Sequence, residues 1–101
     1  MTAAEDAARD GARDAARAGP TVLVRYFAAA AAAARTTEET VALPVGATVQ
    51  TLVGQLGDHR AELAPVLQRC SFLHDAVAVR DLADRLQTGA VVDVLPPFAG
   101  G

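Results

Sequence analysis

Between Thr48 and Gly57 the chain carries Val49, Leu52, Val53 and Leu56 at the i, i+3, i+4, i+7 spacing of one apolar helical stripe. Thr48 stands as its N-cap and Gly57 as the residue just past its end. Around this strong helix the longer apolar segments read as strands. A sheet that needs one face covered and a single helix that needs its stripe buried satisfy each other in two layers, which predicts an α+β domain.

The strand segments are specific. Thr21-Val22-Leu23-Val24-Arg25-Tyr26-Phe27 is rich in β-branched and aromatic residues, with Val22, Val24 and Tyr26 on one face. Ala28 to Ala34 is predicted to form one or two helical turns as a packed connector, because alanine is the best helix former. Glu38 to Leu43 gives a second strand antiparallel to the first, ended by Pro44-Val45-Gly46. Asp58 to Leu67 reads as a shorter helix broken by Pro65, Ser71 to Val79 as strand, and Asp81 to Thr88 as a connection closed by Gly89. Ala90 to Leu95 forms a last strand that runs into Pro96-Pro97. The first and last strands, paired centrally in parallel, would hold the last strand on both sides.

A chain of 101 residues is one small domain with a single core and no room for a separate cofactor domain. Its 51% apolar content is inflated by alanine, so the core is expected to be aliphatic. All nine basic residues are arginine and the net charge is −3, which leaves no basic stripe to displace counterions from nucleic acid. With no lysine, the chain offers no side-chain amine to receive an isopeptide bond. Cys70 is the single cysteine, which excludes an internal disulfide and fits a reducing, cytoplasmic setting. There is no secretory leader pattern, and no apolar stretch reaches the roughly 20 residues of a membrane helix. Residues 1–19 contain no aliphatic larger than alanine after Met1 and are expected to be a disordered extension of a domain spanning 20–97.

Side chains with reactive chemistry are few. Cys70 has only Arg69 beside it in sequence to favour a thiolate. His59, His74 and Cys70 fall short of the four ligands of a structural zinc site. Asp81, Asp84 and Arg85 read as a solvated turn. No phosphate-cradling glycine loop is present.

The candidate reactive group is instead the end of the chain, Pro96-Pro97-Phe98-Ala99-Gly100-Gly101. Glycines without a Cβ can thread a narrow channel and adopt backbone angles closed to other residues. The two prolines fix φ and remove two amide donors, so the strand must stop and a flexible tail over 98–101 leaves in a defined direction.

Val22 to Ala28, the Ala76-Val77-Ala78-Val79 segment, the Leu86 to Gly89 turn and above all Val92-Asp93-Val94-Leu95-Pro96-Pro97-Phe98-Ala99-Gly100-Gly101 resemble the small subunits of molybdopterin synthase. These belong to the ubiquitin-like MoaD/ThiS sulfur-carrier family. The likeness covers roughly Thr21 to Gly101; Arg80 and Ala90 depart from the pattern, both away from the tail. The resemblance implies a β-grasp fold, a mixed sheet of about four to five strands with one main helix across it. It also implies that an adenylating, MoeB-like partner uses ATP to activate Gly101, and that sulfur from a cysteine desulfurase or rhodanese-like protein replaces AMP to leave a C-terminal thiocarboxylate. A MoaE-like large subunit would then take Gly100, Ala99 and Phe98 into its channel, with Phe27, Leu95 and Pro97 offering apolar surface at the tail root. On this reading the chain binds no cofactor and supplies no catalytic side chain. Donation to thiazole or cysteine synthesis, and conjugation of Gly101 to lysines of other proteins, remain open alternatives.

Overall fold

The alternation in the first strand is realised as a buried central strand. In the computed structural model, which describes residues 19–97, β1 spans Thr21–Tyr26 and buries Val22, Val24 and Tyr26 on one face. β2 (Glu38–Ala42) pairs with it antiparallel, with Val22 opposite Val41 and Val24 opposite Glu39. β5 (Val91–Leu95) lies parallel on its other side, with Val24 opposite Val92 and Tyr26 opposite Val94. β3 (Ser71–His74) pairs antiparallel with the far edge of β5, and β4 (Val77–Ala78) closes the sheet in the order β2-β1-β5-β3-β4. The expected central parallel pair is present, and β5 is held from both sides.

The segment 71–79, read as one strand, is a hairpin. Asp75 and Ala76 both take left-handed backbone angles, φ 49° and 69°, and turn the chain back between β3 and β4. Two consecutive positive φ values are what a tight hairpin of right-handed twist demands. Asp75 stabilises the turn: its carboxylate accepts from the Val91 amide at 2.8 Å and its own amide donates to the Val91 carbonyl at 2.8 Å.

Among the described residues, three helices pack with the sheet. α1 (Ala28–Ala34) is the alanine run, with Ala30 and Ala34 buried. α2 (Val49–His59) is the main helix and buries Val49, Leu52 and Leu56, while Val53 is half-buried at the edge of the stripe. Complete burial of a leucine such as Leu52 contributes about 1.5–3 kcal/mol. Thr48 and Thr51 form a reciprocal capping box at its start. The 81–88 segment does more than turn in solvent, because its Asp84 and Leu82 carbonyls accept from the Val49 and Gln50 amides at 3.0 and 2.9 Å. Those are first-turn donors with no partner inside the helix.

Gly57 does not end α2, which runs on to His59 with Arg60 as its extended cap. A Cβ at Gly57 would stand 3.2 Å from the Ala64 Cβ, so the missing side chain admits α3 (Leu63–Leu67) against α2. Pro65 sits in the first turn of α3, where its absent amide has no helical acceptor to lose. Among the described residues no helix is long and apolar enough to cross a membrane.

Candidate functional site

The end of β5 is built from the inside outward. Val92 and Val94 are fully buried under the helices, Leu95 is half-buried opposite Ser71, and Pro96 then Pro97 carry the chain off the sheet, with Pro97 exposed. Phe27 is brought to the same end: its amide donates to the Val94 carbonyl at 3.3 Å, continuing the β1–β5 ladder, and the residue is 42% exposed. An exposed aromatic in this position is the kind of residue that partner surfaces favour. Ala28, directly after it, takes a left-handed φ of 50° to swing the chain from β1 into α1.

Phe27 and Leu95 thus lie at the same end of the β1–β5 pair, with Pro97 two residues beyond Leu95. Phe98, Ala99, Gly100 and Gly101 lie outside the described residues, as does the expected extension up to residue 18.

The fold also assembles features that no local pattern announced. A groove of about 560 Å³ opens beside Pro96 and Pro97, its other walls being Ala29 of α1, Pro65 and Val66 of α3, and Gln68 and Arg69 beyond it. Its signal in the sequence was Pro65, legible only as a helix breaker. On the sheet face away from the main helix, Arg25 donates twice to Asp93, Nε to Oδ1 at 2.6 Å and Nη2 to Oδ2 at 3.0 Å. This bidentate pair staples β1 to β5 two residues before Leu95. Hydrogen bonding to Asp93 and its charge hold the Arg25 pKa above the ordinary value.

At the opposite side of β1, the Tyr26 hydroxyl donates to Glu39 Oε2, which also accepts from Arg60 Nη1 at 2.7 Å. Burial, then the bond to Glu39, pushes the Tyr26 hydroxyl far above its usual range. Cys70 is half-buried, with its thiol donating to the Val66 carbonyl at 3.2 Å, and burial raises its pKa, which favours the thiol over the thiolate. His59 ends α2, and His74 Nε2 lies 3.6 Å from Asp75 Oδ2. Among the described residues no three His, Cys, Asp or Glu side chains gather as a metal cluster.

Residues 24–101 match the ThiS family. No curated protein matches the chain. Among solved structures, a Pyrococcus furiosus protein described as molybdopterin converting factor subunit 1 superposes with a TM-score of 0.72 at 25% identity, over 78% of this chain and 99% of that one. Small archaeal modifier protein SAMP1 from Haloferax volcanii gives 0.71 at 21% identity, over 80% of this chain and 99% of that one. A chain from the Helicobacter pylori complex of subunits 1 and 2 of molybdopterin-converting factor gives 0.60 at 21% identity, over 80% and 99%. The last two speak to the fold alone, and together with the first they mark this chain's fold as a ubiquitin-like β-grasp.

Proposed function

The chain belongs to the ThiS family, and from that premise we propose that it is a sulfur carrier whose C-terminal glycine, Gly101, is adenylated and converted to a thiocarboxylate that supplies the dithiolene sulfur of molybdopterin. The observation that carries this reading is the root of the tail. Val94 is clamped between β1 and β3, and two residues on, a diproline ends the strand and takes the chain off the sheet, with Phe98-Ala99-Gly100-Gly101 next in sequence. A carboxylate is a poor electrophile, so ATP in a partner's site must first turn it into an acyl-adenylate. Attack by a persulfide sulfur then forms the C–S bond as the C–O bond to AMP breaks, and reductive cleavage of the S–S bond by a partner thiol leaves the thiocarboxylate. The described side chains act as a mount for the tail and take no part in this chemistry.

The choice of molybdopterin over other sulfur acceptors is supported by the likeness to the P. furiosus subunit, at 25% identity over 99% of that chain, and by the Leu-Pro-Pro-Phe-Ala lead into the glycines. The H. pylori neighbour, alike in fold, is in a complex with its second subunit, which is consistent with a large-subunit partner for this chain. The likeness to SAMP1 favours a second reading, conjugation of Gly101 to amines of other proteins. Without a lysine, the chain could then act as donor and could not be extended on itself through lysine.

The test is to add one residue after Gly101 and assay sulfur loading by an adenylating enzyme, ATP and a persulfide source. Loading should vanish with the fold intact; loading that persists without trimming of the added residue would refute the terminal-carboxylate chemistry.

A further inference from the structure

The β2 edge of the sheet carries unpaired main-chain groups in a specific pattern. Bonds from the Leu43 amide to the Pro20 carbonyl at 2.9 Å and from the Tyr26 amide to the Thr37 carbonyl at 2.8 Å set the alternation of the β1–β2 ladder. Residues 37, 39, 41 and 43 therefore turn their backbone toward β1, and Glu38, Thr40 and Ala42 turn theirs outward. Two of the outward carbonyls are already engaged: Thr36 Oγ1 donates to that of Glu38 and Gln55 Nε2 to that of Ala42, both at 2.9 Å. Among the described residues, the amides of Glu38, Thr40 and Ala42 and the carbonyl of Thr40 have no partner. Between β2 and α2 runs a groove of about 450 Å³, with the buried Val41 and Leu56 at its bottom and Gln55, His59 and Arg60 along its far wall. The β2 register is continuous over five residues, with no proline or bulge to blunt it, whereas the opposite edge, β4, has only two residues.

We infer that an extended segment of a partner protein adds to β2 as an antiparallel strand centred on Thr40. The residue facing Thr40 exchanges both main-chain bonds with it, and the residues two before and two after supply carbonyls to the Ala42 and Glu38 amides. Those flanking residues face carbonyls that already accept, so they need no amide hydrogen, and proline fits there. The residues between turn their side chains toward Val41 and Leu56, where a branched aliphatic group covers the groove floor. A second copy of this chain is the poorer match, because edge to edge both β2 strands would bring the same surplus of amides and shortage of carbonyls. This goes beyond the sulfur-carrier reading, and its test uses no sulfur, so its failure would leave that reading untouched.

The experiment titrates the capped peptide acetyl-Pro-Val-Thr-Val-Pro-amide into the full chain and follows ¹H–¹⁵N spectra. The amides of Glu38, Thr40, Ala42 and Gln55 should shift, those of Val77 and Ala78 on the opposite edge should stay unmoved, and hydrogen exchange at the Thr40 amide should slow about tenfold at saturation. A peptide N-methylated at its threonine lacks the hydrogen for the Thr40 carbonyl and should bind about five- to tenfold more weakly. Thr40→Pro removes one outward amide and leaves the bonds to β1 in place, so it should weaken binding likewise. The N-methylated peptide keeps the test independent of how that variant folds. No shift at the β2 edge with millimolar peptide, shifts centred on β4, or N-methylation without effect would overturn the inference. Edge shifts that arise on concentrating the protein without peptide would overturn it too, assigning the edge to a second copy.

Discussion

Val94 is where fold and function can be pulled apart. It is fully buried in β5, between Tyr26 on one neighbouring strand and Phe72 on the other, two residues before the diproline. Val94→Ala removes two methyl groups, worth about 1.6 kcal/mol in transfer free energy at ~0.8 kcal/mol each. The void they leave adds to this, for a total of about 2–3 kcal/mol. In a domain of this size that lowers the melting temperature by roughly 10–20 °C, measurable by calorimetry or circular dichroism. The backbone bond from the Phe27 amide to the Val94 carbonyl is untouched by the substitution, so the strand that leads into Pro96-Pro97 keeps its pairing. Below the new transition, sulfur loading of Gly101 should therefore stay close to that of the parent protein. A residue added after Gly101 should do the reverse, leaving the melting temperature unchanged and abolishing loading. A folded Val94→Ala protein that fails to load would refute the view that β5 serves as a mount. A loss below about 0.5 kcal/mol would refute the packing argument itself.

Three further outcomes are expected. Cys70→Ala should load sulfur normally and cost about 1 kcal/mol in urea unfolding for the lost thiol contact with Val66; loss of loading in a folded variant would make Cys70 a participant. Gly19 holds a φ of +90° and an added Cβ would stand 2.4 Å from the Pro44 carbonyl oxygen, so Gly19→Ala should destabilise the start of β1 by about 1–3 kcal/mol, and an unchanged unfolding midpoint would contradict that geometry. Burial raises the folded-state pKa of both Cys70 and Tyr26, from ordinary values of 9.0 and 10.0, so the unfolded chain releases these protons first. Stability from these groups is complete below those values and falls as pH rises past them; Tyr26→Phe should flatten the loss above pH 10, and identical alkaline profiles for the two proteins would exclude Tyr26 as its source.

β1, α2 and β5 were legible because their apolar periodicity and their burial coincide: Val22, Val24 and Tyr26 at period two, Val49, Leu52 and Leu56 at helical spacing. The β3–β4 hairpin was not, because its left-handed turn uses Asp75-Ala76 in place of the glycine or asparagine that usually marks such a turn. Gly57 carries the signature of a helix end, yet serves the close approach of Ala64, a demand set by a segment not yet folded when the sequence is read locally. At the site, Phe27 and Leu95 could be placed because strand pairing carries them to one end of the β1–β5 pair, with Pro97 two residues beyond Leu95. The groove could not, since it joins α1, α3 and the end of β5, and the Arg25–Asp93 staple spans 68 positions of sequence.

The central claim, that Gly101 carries sulfur, is tested most directly by intact mass spectrometry of the protein isolated from its native host, with fragmentation to locate any change. Replacement of one terminal oxygen by sulfur on Gly101 is the expected result. Gly101 found in amide linkage to lysines of other proteins, with no thiocarboxylate at any stage of growth, would contradict it and establish the chain as a modifier.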